Sequence, residues 1–396
     1  MGLHILFVTP YVPSKVRVRP YAFIRELDKL GHRVTLACLV QPSYEQIYLS
    51  EIEPYCEAVH PVYLRRFDPY LQTAGSFFTR QPLSVAYCDS PDFQNKVEEL
   101  SYGDRFDLIH TEFIRATPIT YRLNGFPKVY DAVDSLTLSY RRSITAANIP
   151  SMQRLIALVE WLKMRDYEPW IIQHYDKVVV SSPIDKNTLH SARREVEIIP
   201  NGVDLNYFNW YKGPREENSI VFLGKMSYYV NIASVLWFYH NVFPLVRRHH
   251  PKVRFNIVGR NPTPVITALG KDRSVEVTGT VPDVRPYLTK STIAVCPMVS
   301  GAGIQNKMLE AMAMGLPCVA TSLACQALQT QNGYDVLVAD TAEDYANAIS
   351  ELLDHPEHRC RLAENGRHYV EQHHNWNGIG KQLDKLYREL LKTSTY

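Results

Sequence analysis

The sequence predicts an α/β protein built from two doubly wound, Rossmann-like domains facing across a cleft. Three observations carry that expectation. The first forty residues run strand, helix, strand: His4–Thr9, a helix opened by Pro20 and closed by Gly31, then Val34–Val40. This is the βαβ unit of a parallel sheet with its helices outside. The alternation stops in a polar, irregular stretch over 210–218 and then restarts. The second half also holds a short apolar strand, a glycine loop and a helix in direct succession, Ile293 to Met314, stopped by Gly315 and Pro317. A chain of 396 residues has room for two such domains.

In order, the β-branched run His4–Thr9 predicts a buried first strand rather than a signal peptide, because it lacks a basic leader and meets Pro10 early. The loop after it carries Lys15, Arg17 and Arg19. Ligands of such sheets bind off the carboxyl ends of strands, so these three residues are candidates to meet a phosphate or an acidic acceptor; a solvated basic loop is the equal alternative. Residues 41–100 are rich in Tyr and Pro and predict a strand near Val59–Leu64 with one or two helices. Clear strands follow at Phe106–His110 and Lys128–Asp131. His110 stands at a strand end, followed by Glu112; Asp131 and Asp134 follow the next strand. A histidine there is either a catalytic or orienting group or a core residue bonded to its surroundings. A helix over about 149–175, with Trp161 and Trp170, packs on the sheet or leans on a membrane or partner. Lys177–Ser181 is another strand, and IIPNGVD at 198–204 reads as a turn.

The second half predicts strands at Ile220–Leu223, Val253–Val258, Val275–Val277, Ile293–Cys296, Cys318–Thr321 and Val336–Val338, a helix near Ile232–His250, and a last helix at Asn377–Thr393. Its centre is Ser300–Pro317, SGAGIQNKMLEAMAMGLP. Gly301 and Gly303 let a ligand approach the backbone, and the helix start offers unpaired N–H groups to an anion. Glu310 lies seven residues past Gly303, about 10 Å and two helical turns on, so it returns to the face of the loop. A diphosphate at the loop with a sugar hydroxyl on Glu310 fits that spacing. The competing reading is an ordinary buried stripe of Ile304, Met308, Leu309 and Met312, with Lys307 and Glu310 as a surface pair. Asn306 stands where a dinucleotide fingerprint needs its third glycine, and no GK[ST] follows, which argues against NAD enzymes and P-loop NTPases.

Composition narrows the classes further. Net charge is +2, too mild to argue for nucleic acid. The seven cysteines, at 38, 56, 88, 296, 318, 325 and 360, form no C-x-x-C pair and give no zinc spacing; free thiols in a reducing compartment are expected. No apolar run reaches the 18 residues of a transmembrane helix. No D-x-D, H-E-x-x-H or G-x-S-x-G occurs, and the HH pairs at 249–250 and 373–374 are expected to be exposed. No metal site is expected. What remains converges on strand ends of the second domain: Gly224-Lys225, Gly259-Arg260 and the 301–303 loop. Two facing βαβ domains suit a two-substrate transfer, with Lys225, Lys307 and the helix start neutralising a leaving diphosphate.

These segments together resemble the retaining, nucleotide-sugar-dependent glycosyltransferases of family 4, which have the GT-B fold. The resemblance runs through HILFVTPYVPS with LGH after it, DLIH at 107–110, PNGVD at 200–204, FLGKM at 222–226, IVGRNP at 257–262, VTGTVPDV at 277–284 and KMLEAMAMGLPCVAT at 307–321. It implies that residues 206–377 bind the nucleotide sugar and that 1–205, joined by a helix crossing back over 378–396, form the acceptor-side domain. It implies that Glu310 holds the ribose, that Lys225 and Lys307 meet the diphosphate, that the segment around Val281 meets the base through backbone, and that His110 lies near the transferred sugar. The donor set is then Gly224, Gly259, Arg260, Val281, Gly301, Ala302, Gly303, Ile304 and Glu310; Lys15, Arg17, Arg19 and Asp134 face the acceptor.

Two departures stand out. Ala302 occupies the place of the first carboxylate in the family's Glu-x7-Glu motif, so the sugar is expected on backbone amides of Gly301–Gly303. MSYYVN replaces the segment holding a second basic residue, and Lys307 is expected to supply that charge. The implied enzyme needs no cofactor or metal. Its partners are a nucleotide sugar and a glycan, lipid-linked or small-molecule acceptor in polysaccharide or cell-envelope synthesis, in the cytoplasm or at the inner face of the membrane, where peripheral contact stays open. A sugar-nucleotide epimerase and a non-catalytic nucleotide-sugar-binding protein are the competing readings.

Overall fold

The computed structural model describes residues 2–41, 45–64, 72–73, 75–76, 79–103, 105–145, 151–189, 195–301 and 303–393; Ala302 and residues 149–150 of the expected long helix lie outside them. The chain divides into two compact units. One holds the residues up to Ile144, Ser151–Pro200 and the chain from Trp376; the other holds Asn201–Asn375. The chain thus changes unit at Pro200 and Trp376, where the sequence reading set its boundaries at 205 and 378.

The first unit is built on seven parallel strands: β1 (His4–Thr9), β2 (Arg33–Val40), β3 (Ala58–Tyr63), β4 (Leu108–Glu112), β5 (Lys128–Val133), β6 (Lys177–Val180) and β7 (Val196–Ile198). Their order in the sheet is β3-β2-β1-β4-β5-β6-β7, with the direction of winding reversing between β1 and β4. Burial on both faces of the sheet explains why β1 carries an unbroken apolar run from Ile5 to Val8. Ile5 and Phe7 face helix α1 (Val18–Lys29) and the C-terminal helix, while Leu6 and Val8 face α2 (Pro91–Gly103) through Phe93, Val97 and Leu100. Two further helices, α3 (Leu136–Thr145) and α4 (Ser151–Ile172), precede β6.

The second unit has six parallel strands: β8 (Ser219–Leu223), β9 (Arg254–Val258), β10 (Val275–Gly279), β11 (Ile293–Cys296), β12 (Cys318–Ala320) and β13 (Leu337–Val338). The order is β10-β9-β8-β11-β12-β13, so winding reverses between β8 and β11. Val221 and Leu223 enter one apolar cluster and Ile220 and Phe222 the other, the two-sided burial of a doubly wound sheet. Its longer helices are α5 (Tyr229–Trp237), α6 (Phe243–His249), α7 (Asn306–Ala313), α8 (Ala342–Asp354) and α9 (Pro356–His373). A π turn over Phe238–Val242 joins α5 to α6, with Pro244 just inside α6, so the single helix expected there is irregular at its middle.

The last helix, α10 (Trp376–Thr393), belongs to the first unit. Its apolar stripe, Ile379, Leu383, Leu386 and Leu390, is buried beside α1, and Trp376 meets the Phe23 ring edge-on at 5.8 Å. A Cβ on Gly380 would stand 2.6 Å from the Glu26 side chain, so the two helices approach there at glycine distance. Three details depart from the sequence reading. Val196–Ile198, whose last residue falls in the turn expected over 198–204, is an edge strand. Helix α1 opens at Val18, before Pro20. His374, expected to be exposed, is buried: its Nδ1 is 2.6 Å from the Asn201 carbonyl and its Nε2 3.0 Å from the Tyr369 hydroxyl, which ties the PNGVD turn to the end of α9. No described helix is long and apolar enough to cross a membrane.

Candidate functional site

In a doubly wound sheet the crevice for ligands opens at the carboxyl ends of the strands where winding reverses. In the second unit that point lies between β8 and β11. The turn Gly224–Met226 follows β8, and the 297–305 loop follows β11 and feeds α7. Lys307, second residue of α7, is the centre of this edge. Its ammonium is 2.8 Å from Asn231 Oδ1 and 3.3 Å from Gln305 Oε1, lies 3.8 Å from Met298 Sδ, and sits 4.9 Å over the Phe222 ring. Among the described residues it makes no ion pair with a carboxylate. The surface pairing of Lys307 with Glu310 considered above is therefore not formed. Burial lowers the Lys307 pKa, opposed by the charges of Cys296 and Glu310. Burial also lifts the Glu310 carboxyl to about 7, opposed by Lys307. A half-buried cation whose close partners are all neutral is a place where an anion gains.

The other expected donor residues divide. Gly301 (φ 110°) and Gly303 (φ 78°) hold the left-handed backbone that the loop before α7 requires, and a Cβ on Gly301 would stand 3.1 Å from Val230. Gln305 Nε2 donates to the Gly303 carbonyl at 3.2 Å and fixes the loop's exit. Lys225 is exposed at its turn; its carbonyl accepts from Asn231 Nδ2 at 3.0 Å, so Asn231 links Lys225 backbone to Lys307 side chain. Arg260 is half-buried at the end of β9, its carbonyl accepting from Met226 N at 2.9 Å. Gly224 and Gly259 have a different reason from the one expected. A Cβ on Gly259 would lie 1.7 Å from the Gly224 carbonyl oxygen, and one on Gly224 2.7 Å from Asn231 Nδ2. The two glycines let neighbouring turns touch each other; ligand approach is not needed to explain them. Ile304 and Val281 pack against the apolar cluster of this unit, so their side chains are structural.

The first unit gathers its polar residues at its own reversal point, but inside. Arg19 is not in a loop: it is the second residue of α1, buried, with Nε and Nη2 on the two Asp131 oxygens at 2.7 and 3.0 Å and Nη1 on the Ile199 carbonyl at 2.9 Å. This corrects its assignment to the acceptor side. His110 is also corrected. It is fully buried, stacks on Phe7 at 4.2 Å, and shares a 2.7 Å hydrogen bond with the Tyr387 hydroxyl of α10. Burial holds its pKa down at about 4, so the ring is neutral. Of its two readings, the core one describes where it sits. Glu112, 3.8 Å from His110 Nε2, is pushed well above the carboxylate range by burial and by Asp131. His110, Glu112 and Asp131 bring ligand atoms within 4.8 Å of one another. The Arg19 guanidinium already occupies both Asp131 oxygens, and a divalent cation there would meet its charge.

Lys15 is exposed, and Arg17 pairs with Glu45 while covering the Tyr11 ring at 4.0 Å. Asp134 is half-buried, accepts from Ser181 Oγ at 2.7 Å, and is raised to about 6 by burial and the neighbouring Asp185 charge. Phe113 and Val133, directly after β4 and at the end of β5, both have φ of 66°, a strained conformation for such side chains. Sequence reading missed Asn231, Gln305 and Met298 around Lys307. For Asn231 a signal existed, since it ends the MSYYVN segment where the family pattern breaks.

Comparison with known proteins agrees with this architecture. Residues 16–207 match the model described as Glycosyltransferase Family 4, and residues 217–355 match Glycosyl transferases group 1. A 44.6 kDa uncharacterized protein in the cps region of Klebsiella pneumoniae is 18% identical over 369 residues, covering 91% of this chain and 92% of that one. Among solved structures, sucrose-phosphate synthase from Thermosynechococcus elongatus superposes with a TM-score of 0.73 at 18% identity, covering 99% and 100% of the two chains. HepE of Anabaena in complex with UDP gives 0.66 at 15% identity, covering 98% and 100%. Two parallel Rossmann-like sheets and these domain matches place the chain among the glycosyltransferases of the GT-B type.

Proposed function

We propose that the chain moves a sugar from a nucleotide-diphosphate sugar to a glycan, lipid-linked or small-molecule acceptor with retention of anomeric configuration, in polysaccharide or cell-envelope synthesis. The observation that carries this reading is Lys307: a half-buried ammonium at the reversal point of the second sheet, held by Asn231, Gln305 and Met298 and, among the described residues, by no carboxylate. The complexes of HepE with UDP and with UDP-glucose support a nucleotide sugar as the donor class. The match to a protein of a Klebsiella cps region supports the setting.

In this reading Lys307, Lys225 and the amides at the start of α7 receive the diphosphate, and Glu310 accepts from ribose hydroxyls. The bond from the anomeric carbon to the phosphate oxygen breaks as the acceptor oxygen bonds to that carbon from the same face. The departing phosphate oxygen takes the acceptor's proton, so no metal is required. The first unit receives the acceptor, and the reaction runs in the cytoplasm, at the inner membrane face where the acceptor is lipid-linked.

A thermal-shift series with UDP, GDP, ADP and their sugar conjugates tests the donor site. A ligand of the folded state alone adds about 2.7 kcal/mol at a hundredfold excess over its Kd. One base should shift the transition clearly, and Lys307→Ala should cut binding by about 1–3 kcal/mol, the range for losing a charged hydrogen-bond partner. No shift with any of these ligands, or full binding by Lys307→Ala, overturns the reading.

A further inference from the structure

The helical flank of the first unit holds a cavity of about 390 Å³ that the donor site does not use. It opens between the start of α2, the turn after Thr117–Thr120 and the C-terminal half of α4. Tyr121 and Trp170 lie on segments leading into the amino ends of β5 and β6, so the cavity is on the flank and not at the carboxyl edge.

Its lining has a definite chemistry. Three rings form one wall: Trp170 stands 5.4 Å from Tyr121 and 5.3 Å from Tyr167, centroid to centroid, and is 42% exposed. Asp89 forms the opposite corner, accepting from Gln81 Nε2 at 2.9 Å and from Gln94 Nε2 at 2.7 Å. With both amide nitrogens committed, the two amide oxygens are oriented acceptors. Arg122 donates through Nε to the Tyr121 hydroxyl at 2.6 Å, which fixes the guanidinium and leaves its outer nitrogens as donors. The wall carrying Gln81 is itself fastened, because Lys163 Nζ donates to the carbonyls of Ser76, Thr79 and Gln81.

The balance of charge then selects the ligand. Arg80 and Arg122 are matched in number by Asp89 and Asp166, so the lining itself carries no excess of charge of either sign. What such a cavity rewards is a neutral body with an apolar face for an indole and a rim of hydroxyls for amides and a guanidinium. We infer that this cavity is a carbohydrate-binding site that takes one or two neutral pyranose rings. Its binding of sugar stands on the cavity alone; its use, to hold a glycan acceptor by a part remote from the reacting end, rests on the transferase reading.

Saturation-transfer NMR on the full chain tests it, with di- and trisaccharides of glucose, mannose, galactose, rhamnose and N-acetylglucosamine as probes. At least one should receive saturation. Trp170→Ala and Gln94→Ala should each weaken its binding tenfold or more, with the nucleotide-induced thermal shift unchanged. Gln94→Ala removes one half-buried amide on the surface of α2 and serves as the second variant should Trp170→Ala fold poorly. No transfer to any probe, or undiminished transfer in the folded variants, overturns the inference. Nucleotide binding without sugar binding would sink this site and leave the transferase reading intact. Sugar binding with the stated losses but no nucleotide binding would do the reverse.

Discussion

At the residue scale, Glu310 and His110 are both ionisable groups perturbed by burial, and the signs of their effects differ. Glu310 is raised to about 7, so near neutrality a large share of it is protonated. A carboxylate accepts from a ribose hydroxyl better than the acid does. Binding of a nucleotide sugar should therefore strengthen as pH rises between about 6 and 8, and Glu310→Gln should bind weakly with a flat profile. Titration calorimetry with an intact nucleotide sugar, whose diphosphate does not titrate in that window, reads this directly; a flat wild-type profile removes Glu310 from the ribose. His110 is depressed to about 4 from an ordinary value near 6.5. Above 6.5 both folded and unfolded chains keep it neutral. As pH falls from 6.5 towards 4 only the unfolded chain takes up the proton, so stability is lost across that window, by roughly 3 kcal/mol at 1.36 per pKa unit. His374 is depressed to the same level in the second unit. His110→Gln should flatten the acid limb of the first unit's melting transition only; an unchanged limb would show that this proton is not the one lost. The glycine loop running into a helix is what singled out Lys307 and Glu310 in the sequence. Arg19 was not legible, because its partner Asp131 lies 112 positions away and only the fold joins them.

At the element scale, the strands were legible wherever a β-branched run was buried on both faces, as in β1, β2, β8 and β11. The edge strand β7 was not: Val196 alone of its three residues is fully buried, and the neighbouring IIPNG signals a turn. The C-terminal helix was legible from its leucine stripe, while its place in the first unit was implied only by family resemblance and is set by contacts with α1 distant in sequence. That stripe carries a prediction. Removing residues 376–396 uncovers Phe23, Leu27 and the His110 ring, and leaves His110 Nδ1 without the Tyr387 hydroxyl. Losing several large apolar contacts at about 2–5 kcal/mol each exceeds the stability of an ordinary domain. In scanning calorimetry the truncated chain should lose the first unit's transition and keep one nucleotide-responsive transition from Asn201–Asn375. Two transitions surviving the truncation would mean that α10 is dispensable to the first unit.

At the scale of the whole molecule, each sheet reverses its winding at one strand pair, yet the two reversal points have opposite characters. The second presents a cation held by neutral partners, ready for an anion. The first is closed by the Arg19–Asp131 pair and by His110 in its core. If the chain is the transferase proposed, nucleotide diphosphate should appear only when an acceptor is supplied. Followed by NMR with a nucleotide α-sugar, the product should carry an α anomeric signal, because leaving phosphate and entering hydroxyl share one face of the ring. A β product would require attack from the opposite face, and would discard a mechanism in which the departing diphosphate takes the proton. An altered sugar still joined to its diphosphate would instead mark an epimerase. Nucleotide released at one rate with and without acceptor would mark hydrolysis and sink the transfer reading.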